Sequence, residues 1–301
     1  MVIESKMSTN KRELLVKLIP WIFVVIWSTG FIAAKLSIPY MAPFTVLFVR
    51  MGLALCLFAL IIFWQRRDWG KPADAIRQLI VGLLIHTMFL GGVFTAIDNQ
   101  FPAGITALLM GLQPILTAVI SMVWLGSYLR LSQWVGLTVG LMGVWMVVFG
   151  QGIASTDSLP SKGWYAVIIG LTGMSVGTVF QKRFGGSVDP VIGAFFQYLA
   201  ATISFGALAV WIGDYGVRVT LTLVLSLAWM VIALSVTAIL LLMVMIREGE
   251  AAAVASYFYL VPPFTALQAW LLFGERMGAL GIAGVTVAMI GVYMITRPQR
   301  E

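Results

Sequence analysis

Very few ionisable side chains lie deep within the long apolar runs of this 301-residue chain, and those few are where chemistry could be done. His86 lies about nine residues into the run 78–97, roughly 14 Å from its start at helical rise. An imidazole at that depth either offers a hydrogen bond and a proton-sensitive contact to a cavity, or is packed neutral with its nitrogens satisfied. Arg50 lies about two turns into the run 43–64, and Lys35 closes the run 18–37. Asp98, which ends the run 78–97, is the nearest acid at that level. The outer cluster of Lys35 and Asp98 reads as an ion pair or as long side chains snorkelling to the boundary. With Arg50 it could instead form an electropositive vestibule for a carboxylate. Arg50 is the deeper cation, placed to line or brace the interior.

Uncharged groups add candidates. Gln113, Ser256, Tyr257 and Tyr259 are polar side chains near run centres, and Trp27, Thr29 and Trp164 could also face a cavity. Aromatics near run ends more often form interfacial belts. Pro114 and Pro262 each fall about 18 Å into their runs, where proline frees a carbonyl and kinks a helix, so they are candidate hinges. Gly136-x-x-x-Gly140 and Gly173-x-x-x-Gly177 read as close helix packing. All twelve Asp and Glu fall in termini, loops or run ends, so no buried carboxylate is available to exchange a proton for a lipophilic cation. One His and one Cys exclude a Cys/His zinc cluster, and no P-loop occurs. No metal or other cofactor is expected, and no nucleophile–base constellation supports an intramembrane enzyme.

The elements that must position these residues are membrane helices. The chain is 60% apolar and 10% charged, with a mean hydropathy of +0.99. That is too little charge to coat a soluble globule. Runs long enough to span lie near 18–37, 43–64, 78–97, 102–125, 131–150, 164–183, 190–212, 221–246, 251–273 and 279–296. The fold expected is all-α and integral to the membrane, with ten transmembrane helices. The net charge of +7 sits in short loops, which argues for topology and against nucleic acid. With the N-terminus cytoplasmic, fourteen Lys and Arg fall on the inside and three on the outside, so both termini are expected in the cytoplasm.

A shift of 148 residues aligns 103–147 with 251–295 without a gap, matching Pro114 to Pro262, Gly126 to Gly274, Gly136 to Gly284 and Gly143 to Gly291. Pro43 and Phe48 match Pro190 and Phe195 at 147, which makes Gln197 the counterpart of Arg50. Each half crosses five times, an odd number, so the halves enter from opposite faces as inverted repeats. The organisation expected is a cytoplasmic segment 1–17, a first repeat 18–150, a periplasmic connector 151–163, a second repeat 164–296 and a cytoplasmic end 297–301. Both inverted halves reside in one chain, so a monomer suffices.

Trp27-x-x-Gly30-Phe31-x-x-x-Lys35, Pro43 with Arg50, Pro114 and Leu272-Phe273-Gly274-Glu275 occur in an order that resembles the EamA-type branch of the drug/metabolite transporter superfamily. Among its members the chain is most similar to YddG-type bacterial amino-acid exporters. The chain departs from the family where Glu often follows Gly in both halves: Glu275 fits, but the first half has Ser127. The resemblance implies a carrier of the bacterial inner membrane with a central cavity, exporting amino acids and related small metabolites. Multidrug or nucleotide-sugar transport and a passive channel are the competing readings.

Overall fold

The computed structural model describes residues 9–99, 106, 109–150, 161–186, 188–213, 215–248, 251–273 and 278–296. Its first repeat comprises α1 (Thr9–Ser37), α2 (Pro43–Gln65), α3 (Pro72–Asp98), α4 (Gln113–Leu125) and α5 (Leu131–Gly150). The second comprises α6 (Ser161–Phe184), α7 (Pro190–Ile212), α8 (Leu221–Glu248), α9 (251–273) and α10 (Ala279–Thr296). Five of these (α2, α3, α6, α7 and α8) are each long and apolar enough to cross a bilayer, and shorter apolar stretches lie in α1, α4, α5 and α10. Side chains such as Phe63, Trp64, Val123 and Trp211 stand exposed on the outside of the bundle, as a lipid solvent permits.

The packing repeats when each helix is exchanged for the one five places on. Helix α2 packs on α7 and α5 on α10, each pairing a helix with its own counterpart. Helix α3 packs on α6 and α7, and α8 packs on α1 and α2. Likewise α4 meets α6, and α9 meets α1. This is the pairing that a pseudo-two-fold axis in the membrane plane requires of ten spans in two inverted repeats.

Glycines set the closest approaches. A Cβ on Gly143 would lie 2.2 Å from the backbone nitrogen of Ala288, and one on Gly291 2.3 Å from that of Gly140. The α5–α10 seam therefore admits no side chain there. Gly173 and Gly177 likewise meet Met88, Leu84 and Ile85 of α3.

The two halves share irregularities that hydropathy does not show. Helix α3 widens to a π-helix over Gly82–Met88 and α8 over Met230–Ala238, segments that begin 148 residues apart. Helix α4 follows a turn at Gly111 and Leu112, and α9 narrows to a 3₁₀ turn over Tyr257–Leu260. Pro114 and Pro262 come immediately after these breaks, in the first turn of the α-helix that follows. A first-turn proline sacrifices no intrahelical bond. Short non-α turns therefore lie beside both prolines. Helices α1 and α3 also begin earlier than hydropathy suggested, at Thr9 and Pro72, because their first turns are polar.

Candidate functional site

Helices α1, α2, α3 and α8 enclose a cavity of about 550 Å³, its open side included. Helix α1 contributes Trp27, Gly30, Phe31 and Ala34; α3 contributes the face from Ile85 through His86 and Phe89 to Phe94; α2 contributes Arg50, and α8 Leu234 and Ile239. Along α1 and α3 this lining runs from mid-helix toward the C-terminal ends. A smaller hollow of about 330 Å³, its open side included, shares Trp27, Phe31 and Phe89 with it and continues to Met110, Gln113, Phe258 and Pro262. Trp27 is held between them by Phe23 at 5.0 Å, Phe258 at 5.4 Å edge-on and Phe89 at 6.3 Å stacked.

Arg50 is 6% exposed and donates from Nε to Ser235 Oγ at 2.9 Å, reaching the π-segment of α8. No carboxylate pairs with it among the described residues. Its repeat counterpart makes the corresponding link: Gln197 of α7 accepts through Oε1 from His86 Nε2, in the π-segment of α3, at 3.3 Å. Gln197 Nε2 in turn donates to Gln78 Oε1 at 2.7 Å. The Tyr198 ring lies 4.6 Å from that of His86, and its hydroxyl sits beside Arg50 and Ser235 without a well-formed hydrogen bond. Two pseudo-symmetric polar links therefore tie the α2–α7 pair to the wide turns of α8 and α3. A buried guanidinium held by a neutral hydroxyl keeps its charge available to an anion that enters the cavity.

On the N-terminal side of His86, α3 packs directly on α7. Gly82 lies so close to α7 that a Cβ would stand 2.3 Å from the carbonyl oxygen of Gln197, and Gly193 packs on Met243. At that end Arg67 pairs with Asp189, which caps α7 through Val191 N at 2.9 Å, and Lys182 donates to the carbonyl of Arg247 at 3.0 Å. At the other end the α1–α2 and α7–α8 loops join through a Met41–Val217 bridge and an Arg218 N to Tyr40 O bond of 2.7 Å.

Of the residues singled out from sequence, the cavity gathers His86, Arg50 and Trp27, and the neighbouring hollow gathers Gln113 and Pro262. Thr29 instead faces α8, where Oγ1 accepts from Trp229 Nε1 at 2.7 Å. Tyr259 turns its ring onto Gly140 in the α5–α10 seam. Ser256 is buried and Tyr257 half-buried in α9, but neither they nor buried Pro114 line either space, and Trp164 is 38% exposed on α6. Asp98 is exposed at the end of α3; the side chain of Lys35, and Gly274 and Glu275, lie outside the described residues. Hydropathy did not single out Ser235, Tyr198 or Gln78. The counterpart relation of Gln197 to Arg50 was the one signal pointing toward this network.

The model of the EamA-like transporter family matches residues 18–149 and again 161–297. The chain belongs to that family. Two EamA repeats in one chain agree with the helix pairing above. A Synechocystis protein named uncharacterized transporter sll0355 is 25% identical over all of this chain and 94% of its own length. Uncharacterized transporter YvbV of Bacillus subtilis is 23% identical over 90% of this chain and 88% of its own. A chloroplastic WAT1-related protein of Arabidopsis thaliana is 21% identical over 91% of this chain and 67% of its own. A solved crystal structure superposes with a TM-score of 0.76 over 93% of this chain and 96% of that one, at 18% identity, showing the same fold. This EamA-family chain is a multi-pass membrane transporter of the drug/metabolite superfamily.

Proposed function

We propose that this transporter works by alternating access in the bacterial inner membrane, with both termini cytoplasmic, and exports amino acids, aromatic or other neutral ones among them, and related small metabolites. The observation that carries the reading is Arg50: a buried cation with no described carboxylate partner, lining a cavity otherwise walled by Trp27, Phe31, Phe89 and Phe94. A guanidinium is suited to a substrate carboxylate, and an aromatic wall to an apolar or flat body. With the termini inside, the cavity lies in the periplasmic half of the bundle and the Arg67–Asp189 pair toward the cytoplasm. Inverted repeats supply the opposite state by exchanging the arrangements of the halves. The absence of any acid at a span centre weighs against a lipophilic cation as substrate.

Proteoliposomes loaded in turn with each radiolabelled amino acid test the assignment. Protein-dependent flux for a neutral or aromatic amino acid, reduced in Arg50→Gln, is the expected result. Flux for none of them overturns it.

A further inference from the structure

Resting on that reading, the cavity's charge distribution sharpens its substrate class. We infer that the site prefers carboxylates whose amino group is acylated or replaced by an oxo group, attached to an apolar or aromatic body, over free zwitterionic amino acids. Among the described residues lining the cavity, Arg50 carries the one formal charge. Its Nε is held by Ser235, which steers the guanidinium by one edge and leaves the other for a planar carboxylate. An α-ammonium is bonded one carbon from that carboxylate, so it must sit within about 5 Å of the same guanidinium, where two positive charges repel.

No carboxylate in the described lining offsets this repulsion. Every acid of the chain lies in a terminus, a loop or a span end. Asp98, the acid at the outer end of α3, is twelve residues beyond His86, about 18 Å along the helix, and cannot reach the same substrate carbon. Beside Arg50, the polar side chains of that lining are His86 and the indole of Trp27. His86 donates through Nε2 to Gln197, and Gln113, in the adjoining hollow, is 2% exposed. The faces of Trp27 and Phe89 attract a cation weakly; set against the guanidinium's repulsion they leave the zwitterion about tenfold worse off. Leu234, Ile239 and Val93 complete an apolar wall that an acyl group can cover.

The test uses the full-length carrier in proteoliposomes, with binding read by titration calorimetry and transport by counterflow. The probes are L-phenylalanine, N-acetyl-L-phenylalanine, phenylpyruvate and L-phenylalanine amide. The expected result is that N-acetylphenylalanine and phenylpyruvate bind about tenfold or more tightly than phenylalanine. Arg50→Gln should weaken both by about 30-fold or more and abolish their advantage over phenylalanine, and the amide should bind worst. Phenylalanine binding as tightly as its N-acetyl derivative overturns this inference and leaves the amino-acid carrier standing. Tightest binding of the amide overturns the role of Arg50 and the inference together. No binding or flux of any probe, or of any other amino acid, overturns both the inference and the proposed function.

Discussion

Replacing Arg50 by Met separates a residue kept for binding from one kept for folding. The substitution removes the 2.9 Å bond from Nε to Ser235, a hydrogen bond to a charged group worth about 1.5–3 kcal/mol. It also removes an isolated buried charge whose desolvation costs several kcal/mol, and puts in its place an apolar side chain of similar length. Ser235 retains the option of bonding within its own helix. The balance is a variant as stable as the parent or more stable by about 1–3 kcal/mol. Binding behaves oppositely: losing the guanidinium from a desolvated carboxylate contact costs about 2–5 kcal/mol, or roughly 30-fold to several-thousandfold in Kd. Thermal unfolding in detergent, paired with ligand titration, reads both quantities on one preparation. A variant that unfolds well below the parent yet binds its substrate with unchanged Kd would refute the reasoning and make Arg50 a structural brace.

Other substitutions probe the scaffold around it. His86→Leu installs the residue found at its repeat counterpart, Leu234, and strands Gln197 Oε1. It should lower stability by about 1–3 kcal/mol, with part restored in His86→Leu/Gln197→Leu because neither partner is then left unsatisfied; thermal midpoints of the two variants check this. Gly143→Val places a side chain where a Cβ already meets Ala288 N at 2.2 Å, and should abolish recovery of folded protein, whereas Gly186→Ala, with open space around it, should be recovered like the parent. Asp189→Ala removes both the cap of α7 and the exposed ion pair with Arg67 and should cost about 1 kcal/mol more than Arg67→Ala, since an exposed pair alone is worth little. Single cysteines in a Cys56→Ser background, at Tyr215 and at Trp69, should label with a membrane-impermeant maleimide in intact cells at Tyr215 only; the reverse pattern contradicts cytoplasmic termini.

Much of the architecture was legible because lipid imposes a simple rule: about 20 apolar residues per crossing, interrupted by short charged loops. The 148-residue offset, read from Pro114/Pro262 and Gly143/Gly291, also locates features it was not used to find. The π-segments begin at Gly82 and Met230, and the non-α turns at 111–112 and 257–260 precede matched prolines. Those irregularities had no local signature. One of them begins at Gly82, which lies in backbone contact with Gln197 of a distant helix. The site was half legible for a related reason. A charged or polar side chain inside a span announces itself, as Arg50 and His86 did. Which neighbours it meets depends on helices far away in the chain: Ser235 is 185 residues from Arg50, and Gln197 is 111 from His86. Tyr259 and Thr29 looked equally polar, yet rotation of α9 and α1 turns them onto Gly140 and Trp229.

In the proposed function one cavity, walled by Arg50 and the Trp27–Phe31–Phe89 aromatics, carries substrate by opening alternately to the two sides. Counterflow distinguishes this from a passive pore. Proteoliposomes loaded with excess unlabelled substrate should accumulate labelled substrate transiently above its external concentration, saturably, and Arg50→Gln should remove that overshoot. Labelled substrate that enters only to equilibrium, in proportion to its concentration and unaffected by internal substrate, would contradict the account and describe a channel.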